Sequence, residues 1–123
     1  MCFYLDKNEK LIAKKDIECY KIFLGNKNRI NSICFYDMVW KVGVLVNESK
    51  KENVLLIDHD NNVIGVGLHS YKIKELINKS WFNISIKAKC IIPKGANYYE
   101  NESEYVSDQL KIVKIIKDYN KYE

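Results

Sequence analysis

Ile84-Ser85-Ile86-Lys87-Ala88-Lys89-Cys90-Ile91-Ile92 alternates cleanly, with Ile86, Ala88, Cys90 and Ile92 falling on one face. A period of two is that of an extended strand with one face buried and the other in water. Pro93-Lys94-Gly95 closes the run, and Pro93 is the only proline of the chain. Lacking an N–H, it cannot continue a sheet ladder. This stretch places the chain among sheet-rich folds, and its neighbours on either side read accordingly.

Toward the C-terminus, Ala96 to Ser107 reads as a polar, tyrosine-rich loop. Leu110 to Ile116 reads as a last strand, apolar on both faces and therefore central or covered. From Asp118 onward the chain reads as a frayed tail. On the N-terminal side, the spacing of Ile73, Leu76 and Ile77 predicts one helix over about Ser70 to Lys79, with Trp81 continuing its apolar face. Ser70 is a plausible N-cap, and Lys79 suits the C-terminal end of the helix dipole.

Further back, Val54 to Asp58 and Val63 to Leu68 read as a hairpin around His59-Asp60-Asn61-Asn62, whose Asn and Asp tolerate left-handed turn geometry. Ile33 to Val46 is long and rich in aromatic and β-branched residues, and Gly43 marks a bulge or bend within it. Asp16 to Leu24 is a strand closed by Gly25-Asn26. Met1 to Leu5 and Leu11 to Ala13 are shorter ones. The expected fold is α+β: a mostly antiparallel sheet of six to eight strands with one main helix at about residues 70–79. Residues 1–117 read as a single globular domain and 118–123 as its tail.

The 123 residues are 47% hydrophobic and 29% charged, enough to bury a core without staples. The net charge is +4, and nineteen of the twenty basic residues are lysine. Lysines alternating with apolar residues suit the solvent face of strands better than a stripe that tracks phosphates. With Arg29 as the only arginine, bidentate guanine contacts are scarce, which argues against sequence-specific DNA readout.

Cys2, Cys19, Cys34 and Cys90 form no C-x-x-C pair, and three of them sit in apolar runs. They read as small buried hydrophobes, and no metal site is expected. There is no basic segment followed by a long apolar stretch at the start, and no run of membrane-spanning length. The expectation is a cytoplasmic protein without a membrane partner.

Ile64-Gly65-Val66-Gly67-Leu68-His69-Ser70-Tyr71 is the stretch with the most chemistry. Read as a strand running into a helix, it delivers an imidazole, a hydroxyl and a phenol to a junction where backbone N–H groups face outward. A histidine in this position more often makes a structural hydrogen bond, but Ser70 and Tyr71 beside it can contact a ribose or phosphate. Lys94-Gly95 could bring an ammonium and open backbone to a phosphate, although a plain strand-ending turn accounts for it as well. Asp58-His59-Asp60 reads as a solvated hairpin turn. Cys2 lacks the supporting groups that a nucleophile needs. Tyr20, Tyr36, Trp40, Tyr71, Tyr98, Tyr99 and Tyr105 exceed what packing alone asks for, and aromatics with a polar tip concentrate at binding surfaces.

Five segments taken together resemble small proteins of tailed phages and mobile elements from Bacteroidetes-like hosts, a group with no assigned activity. They are Asp16-Ile17-x-Cys19-Tyr20-Lys21, Trp40-Lys41-Val42-Gly43, Gly67-Leu68-His69-Ser70-Tyr71, Cys90-Ile91-Ile92-Pro93-Lys94-Gly95-x-x-Tyr98-Tyr99 and Tyr105-Val106-Ser107. More loosely, they look like minimal phage domains compared with ADP-ribosyltransferases. That likeness implies His69 at the nicotinamide-side ribose, Tyr71 or Tyr98 at the ring, and a late glutamate, Glu104 or Glu102, as the catalytic carboxylate.

The leading expectation is a non-enzymatic binding protein, with no cofactor, that captures a nucleotide-like small molecule or a host protein. Phage-encoded, it would act in the host cytoplasm, for instance in counter-defence. The candidate ligand-binding residues are His69, Ser70, Tyr71, Lys94, Tyr98, Tyr20 and Trp40. The alternatives are an ADP-ribosyltransferase-like enzyme and a virion accessory protein that forms a homo-oligomer.

Overall fold

The alternation at 84–92 folds as a strand over Ser85–Ile92, and Ile86, Ala88, Cys90 and Ile92 are all fully buried. The computed structural model describes residues 3–6, 9–26, 29–32, 39–78 and 85–118. In chain order the elements are β1 (Phe3–Tyr4), β2 (Leu11–Ile12), β3 (Ile17–Asn26), β4 (Arg29–Ser32), β5 (Val39–Trp40), β6 (Leu45–Asn47) and β7 (Ile57–Asp58). They continue with β8 (Val63–Ile64), β9 (Leu68–Tyr71), α1 (Lys74–Asn78), β10 (Ser85–Ile92), β11 (Asn97–Glu100), β12 (Glu104–Ser107) and β13 (Gln109–Asp118). The α+β, mostly antiparallel expectation holds. The expected six to eight strands do not: the described residues contain more than eight.

Strand β3 organises the larger sheet. It pairs with β10 through eight consecutive positions, from Leu24 opposite Ser85 to Ile17 opposite Ile92. The two chains then turn a corner together. Five residues farther along each, Ile12 faces Asn97 as β2 pairs with β11. Ala13 holds the corner, donating from its N to Ala96 O (2.9 Å) and accepting from Gly95 N (2.8 Å). Gly95 has φ +92°, a left-handed conformation that glycine adopts without steric cost. Strand β11 pairs with β12, β12 with β9, and β9 meets β3 at Tyr20–Tyr71. Because β2 and β3 are consecutive in the chain, the sheet returns to the strand it started from. The enclosed core includes Cys19, Phe23, Trp40, Leu68, Ile86, Leu110 and Ile112.

A second sheet, ordered β1-β8-β7, lies against the first. Phe3, Leu5, Leu55 and Ile64 pack there against Tyr99 and Val106. The approach is close at Gly67, where an added Cβ would collide with Val106 Cγ2 and sit 3.0 Å from Leu55 Cδ2.

Other expectations hold locally. The hairpin turn at 58–62 forms between β7 and β8, with Asn62 at φ +57° and Asp58 accepting from Asp60 N and Asn61 Nδ2. Gly43, at φ +83°, turns the chain between β5 and β6.

Two expectations fail. The helix is not 70–79 but a five-residue α1, and Ser70 lies inside β9 rather than capping it. Ser70 and Tyr71 pair with Tyr105 and Glu104, so the sheet claims the first two residues of the expected helix. The segment 96–107 is not a loop but the hairpin β11–β12. Asn101 organises its turn, accepting from Ser103 N and Glu104 N through its side chain and donating to Tyr4 O. The last strand extends to Asp118, one residue into the expected tail. Readings that fall on Cys2, Cys34, Tyr36, Trp81 and 119–123 lie outside the described residues. Among the described residues, no helix is long and apolar enough to cross a membrane.

Gly67→Ala is expected to destabilise the protein by about 1–3 kcal/mol through overpacking at the seam. Gly65→Ala, whose added methyl meets nothing within 4 Å, should stay within about 0.5 kcal/mol of wild type. Urea unfolding of both variants makes the comparison, and equal midpoints would remove the close seam contact.

Candidate functional site

Strand β9 sends its side chains in two directions. Leu68 and Ser70 are buried on the side of the main core, while His69 and Tyr71 take the opposite face. On that face His69 stands opposite Val106, and Tyr71 lies between Glu104 and Tyr20. The His69 ring tilts 46° to Phe3 of the second sheet, with 6.5 Å between centroids. Among the described residues neither ring nitrogen has a hydrogen-bond partner.

Burial, and then the nearby Lys21 ammonium, push the imidazole down to about pH 4. The Gly65 carbonyl pulls weakly the other way without forming an aligned hydrogen bond. Lys21 Nζ itself donates to the His69 carbonyl oxygen (2.6 Å), tying β3 to β9 where they share a single register pair.

Ser70 points inward to Cys19. Its hydroxyl lies near enough to hold down the thiol's pKa but is out of hydrogen-bond alignment. Burial dominates, raising Cys19 to about 11, and it raises Cys90, directly opposite, as well. Buried thiols in this state are structural and inert.

The other candidates scatter. Trp40 is 2% exposed and packs on Phe23, 5.1 Å between ring centroids, as a core residue. Tyr98 and Tyr105 meet edge to face at 5.9 Å and lean on the main core. Lys94 sits in the corner after β10, its backbone N–H donating to Asp16 Oδ1 (2.9 Å). Glu102 lies in the β11–β12 turn, its N–H bonded to Asp6 Oδ2 (3.0 Å). The fold therefore gathers His69, Tyr71, Tyr20 and Glu104 on one face, sends Ser70 and Trp40 inside, and leaves Lys94 in the corner.

A pocket of about 420 Å³ opens elsewhere, at the seam between the two sheets. Lys10, Lys51 and His59 supply basic groups, and Val54 to Ile57 form an apolar wall. The floor is Asp108, 2% exposed and locked to Asn97. Its Oδ1 accepts from Asn97 N (3.0 Å) and its Oδ2 from Asn97 Nδ2 (2.9 Å). The Asp108 carbonyl accepts from Glu48 N (2.7 Å), which fixes the start of the loop that carries Ser49 and Lys51.

Leu55 in the wall has φ +56°, a left-handed conformation that bulky side chains avoid. Its N–H donation to Val66 O (2.9 Å) and its burial beside Gly67 hold it there. Backbone strain of this kind concentrates at functional sites.

Of the residues lining this pocket, the sequence reading singled out His59, within the 58–60 turn, and Tyr99. The usable signal was Asp108, a charged residue interrupting the apolar alternation of Val106 and Leu110. Among the described residues, no group of three metal-ligating side chains is placed to hold a metal ion. No known protein family matches the chain, and neither does any curated protein or solved structure.

Because folding depresses the His69 pKa from 6.5 to about 4, the unfolded chain binds the extra proton between those values. The stabilising effect of keeping the ring neutral is complete above pH 6.5 and is lost as the pH falls toward 4, on the order of 3 kcal/mol in all. His69→Leu should flatten that part of the stability profile in urea titrations from pH 7 to 4. An unchanged slope would show that the ring protonates freely in the native state.

Proposed function

We propose that the protein binds a small, nucleotide-like anion in the seam pocket without turning it over. The observation that carries this reading is the ring of Lys10, Lys51 and His59 around the buried Asp108–Asn97 floor. Lys10 and Lys51, the latter also paired with Glu48 Oε2 (2.9 Å), meet phosphate. An ionised carboxylate has about four acceptor positions, and Asn97 occupies two at Asp108, leaving capacity for a sugar hydroxyl. Leu56, 62% exposed, offers apolar surface to a base. The volume of about 420 Å³ lies within the range of small-molecule sites. Ser49 directs its hydroxyl to Asn47 Oδ1 (2.6 Å), an arrangement that suits binding rather than nucleophilic attack. In a phage-encoded protein, such capture would serve counter-defence by sequestering a signalling nucleotide in the host cytoplasm.

One observation favours an ADP-ribosyltransferase-like reading in second place: His69, Tyr71 and Glu104 share a face. The burial of His69 against Phe3 weighs against it. NAD left intact after prolonged incubation with folded protein removes that reading.

Titration calorimetry with ADP-ribose and with cyclic mono- and dinucleotides tests the binding proposal. Saturable heat is expected with at least one of them, weakened about tenfold or more in a Lys10→Gln/Lys51→Gln double variant. Absence of heat with all of these ligands overturns the small-ligand reading in favour of a protein partner.

A further inference from the structure

The ring of His69 lies between the two sheets. It points away from the main core, stands opposite Val106 and tilts against Phe3. Phe3 and Val106 belong to the packed cluster that joins the sheets, together with Leu5, Leu55, Ile64 and Tyr99. Both ring nitrogens are shut off from solvent, and among the described residues neither has a hydrogen-bond partner. The groups around the imidazole do not welcome a proton. From β3 comes the Lys21 ammonium, and the amino terminus of the chain acts on the ring as a second cation. The Gly65 carbonyl, one residue past β8, pulls the other way but makes no aligned bond. Strands β1 and β8 bring Phe3 and Ile64 to the seam, while the Tyr4 phenol is 68% exposed. The carboxylate on this face of β12, Glu104, lies two residues along, opposite Tyr71.

A charge at this place has an exit, because the second sheet is lightly held. Strands β1, β7 and β8 are two residues each, and so small a sheet is marginal without something to pack against. Its described hydrogen bonds to the β11–β12 turn run from Asn101 Nδ2 to Tyr4 O (2.9 Å) and from Glu102 N to Asp6 Oδ2 (3.0 Å). The larger sheet has a separate core, in which Cys19, Phe23, Ile86 and Ile112 take no part in the seam cluster. Opening the seam therefore gives the ring to water and leaves that core in place.

We propose that protonation of His69 detaches the three-stranded sheet while the larger sheet stays folded, making the ring an acid-sensitive latch on the seam pocket. Leu55 and Tyr99 belong both to the seam cluster and to the pocket lining, so latch and pocket open together. The Asp108–Asn97 floor is held by bonds within the larger sheet and remains. In the closed seam the imidazole is held down to about 4, and in the open one it returns to the ordinary 6.5. Protons therefore favour the open form. The closed form has its full advantage above pH 6.5 and loses it as the pH falls toward 4. Over that interval the ratio of open to closed rises about a hundredfold. The latch needs no ligand, so it is independent of what the pocket binds.

Native-state hydrogen exchange, followed by NMR at several pH values from 7 to 4 and corrected for the intrinsic amide rate, tests the proposal. The amides of Leu5, bonded to Asn62 O, and Leu55, bonded to Val66 O, report on the seam. Those of Ala88 and Cys90, in the middle of β10 with a strand on each side, report on the larger sheet. At every pH the seam amides are expected to open more readily than the β10 amides. Their opening should rise about a hundredfold between pH 6.5 and 4. In His69→Leu that rise should disappear. Asp6→Asn, which keeps an acceptor for the Glu102 N–H without the charge, should retain it. The wild-type profile keeps the test decisive should a variant fail to fold. A single opening constant shared by seam and β10 amides overturns the proposal, because the sheets then part only by unfolding together. So does seam opening that ignores pH, or a rise that survives in His69→Leu.

Discussion

The register between β3 and β10 is the constraint on which the rest of the molecule depends. Eight residues of one strand face eight of the other, and the same pairing continues around the corner to Ile12 and Asn97. Because side chains alternate, a slip of one residue would carry Ile86, Ala88, Cys90 and Ile92 into water and Lys89 and Ile91 toward the core. Burying unpaired ammonium groups costs several kcal/mol each in real proteins, far more than any local propensity could offset. The register is therefore fixed by what it keeps out of the core as much as by what it buries.

Costs gather near the second sheet. His69 packs against Phe3 with both ring nitrogens unpartnered among the described residues, and Leu55 holds a left-handed backbone beside Gly67. An unsatisfied buried polar group typically costs about 1–3 kcal/mol. Asp108, by contrast, accepts one hydrogen bond from Asn97 at each carboxylate oxygen and faces the pocket. Local rules give way at the seam and are obeyed elsewhere, the pattern expected of a protein that uses its seam.

The sequence made the fold class readable wherever the pattern was local. The 84–92 alternation, the strand from Ile17 (which runs on through Gly25 to Asn26 rather than closing there), the Asp-Asn hairpin turn and the break at Gly43 each rest on a few neighbouring residues. The β11–β12 hairpin was not readable, because Asn97, Glu100, Asn101, Glu102 and Ser103 dilute a β-signal carried by Tyr98, Tyr99, Tyr105 and Val106. Its turn is also held partly from outside, by Tyr4 and Asp6. The helix was overread at its start, because pairing with β12 takes Ser70 and Tyr71 into β9 and leaves only the short α1 around Leu76. The seam pocket joins Lys10, residues 49–59, Asn97 and Asp108, a set of long-range neighbours that no window of sequence contains. The lysine face of β13, where Lys111, Lys114 and Lys117 share one side, depends on two bulges opposite β10, and K-x-x-K-x-x-K carries no sign that it belongs on one side of a strand.

Cross-strand nuclear Overhauser contacts between backbone protons of isotope-labelled protein test the register itself. The expected result is that Lys89 meets Tyr20 on one side and Lys114 on the other, with Ile91 beside Lys111 and Lys87 beside Lys117. Contacts from Lys89 to Val113 or Ile115 instead would mean that β13 runs without its bulges, and would contradict both the lysine face and the sheet built around it.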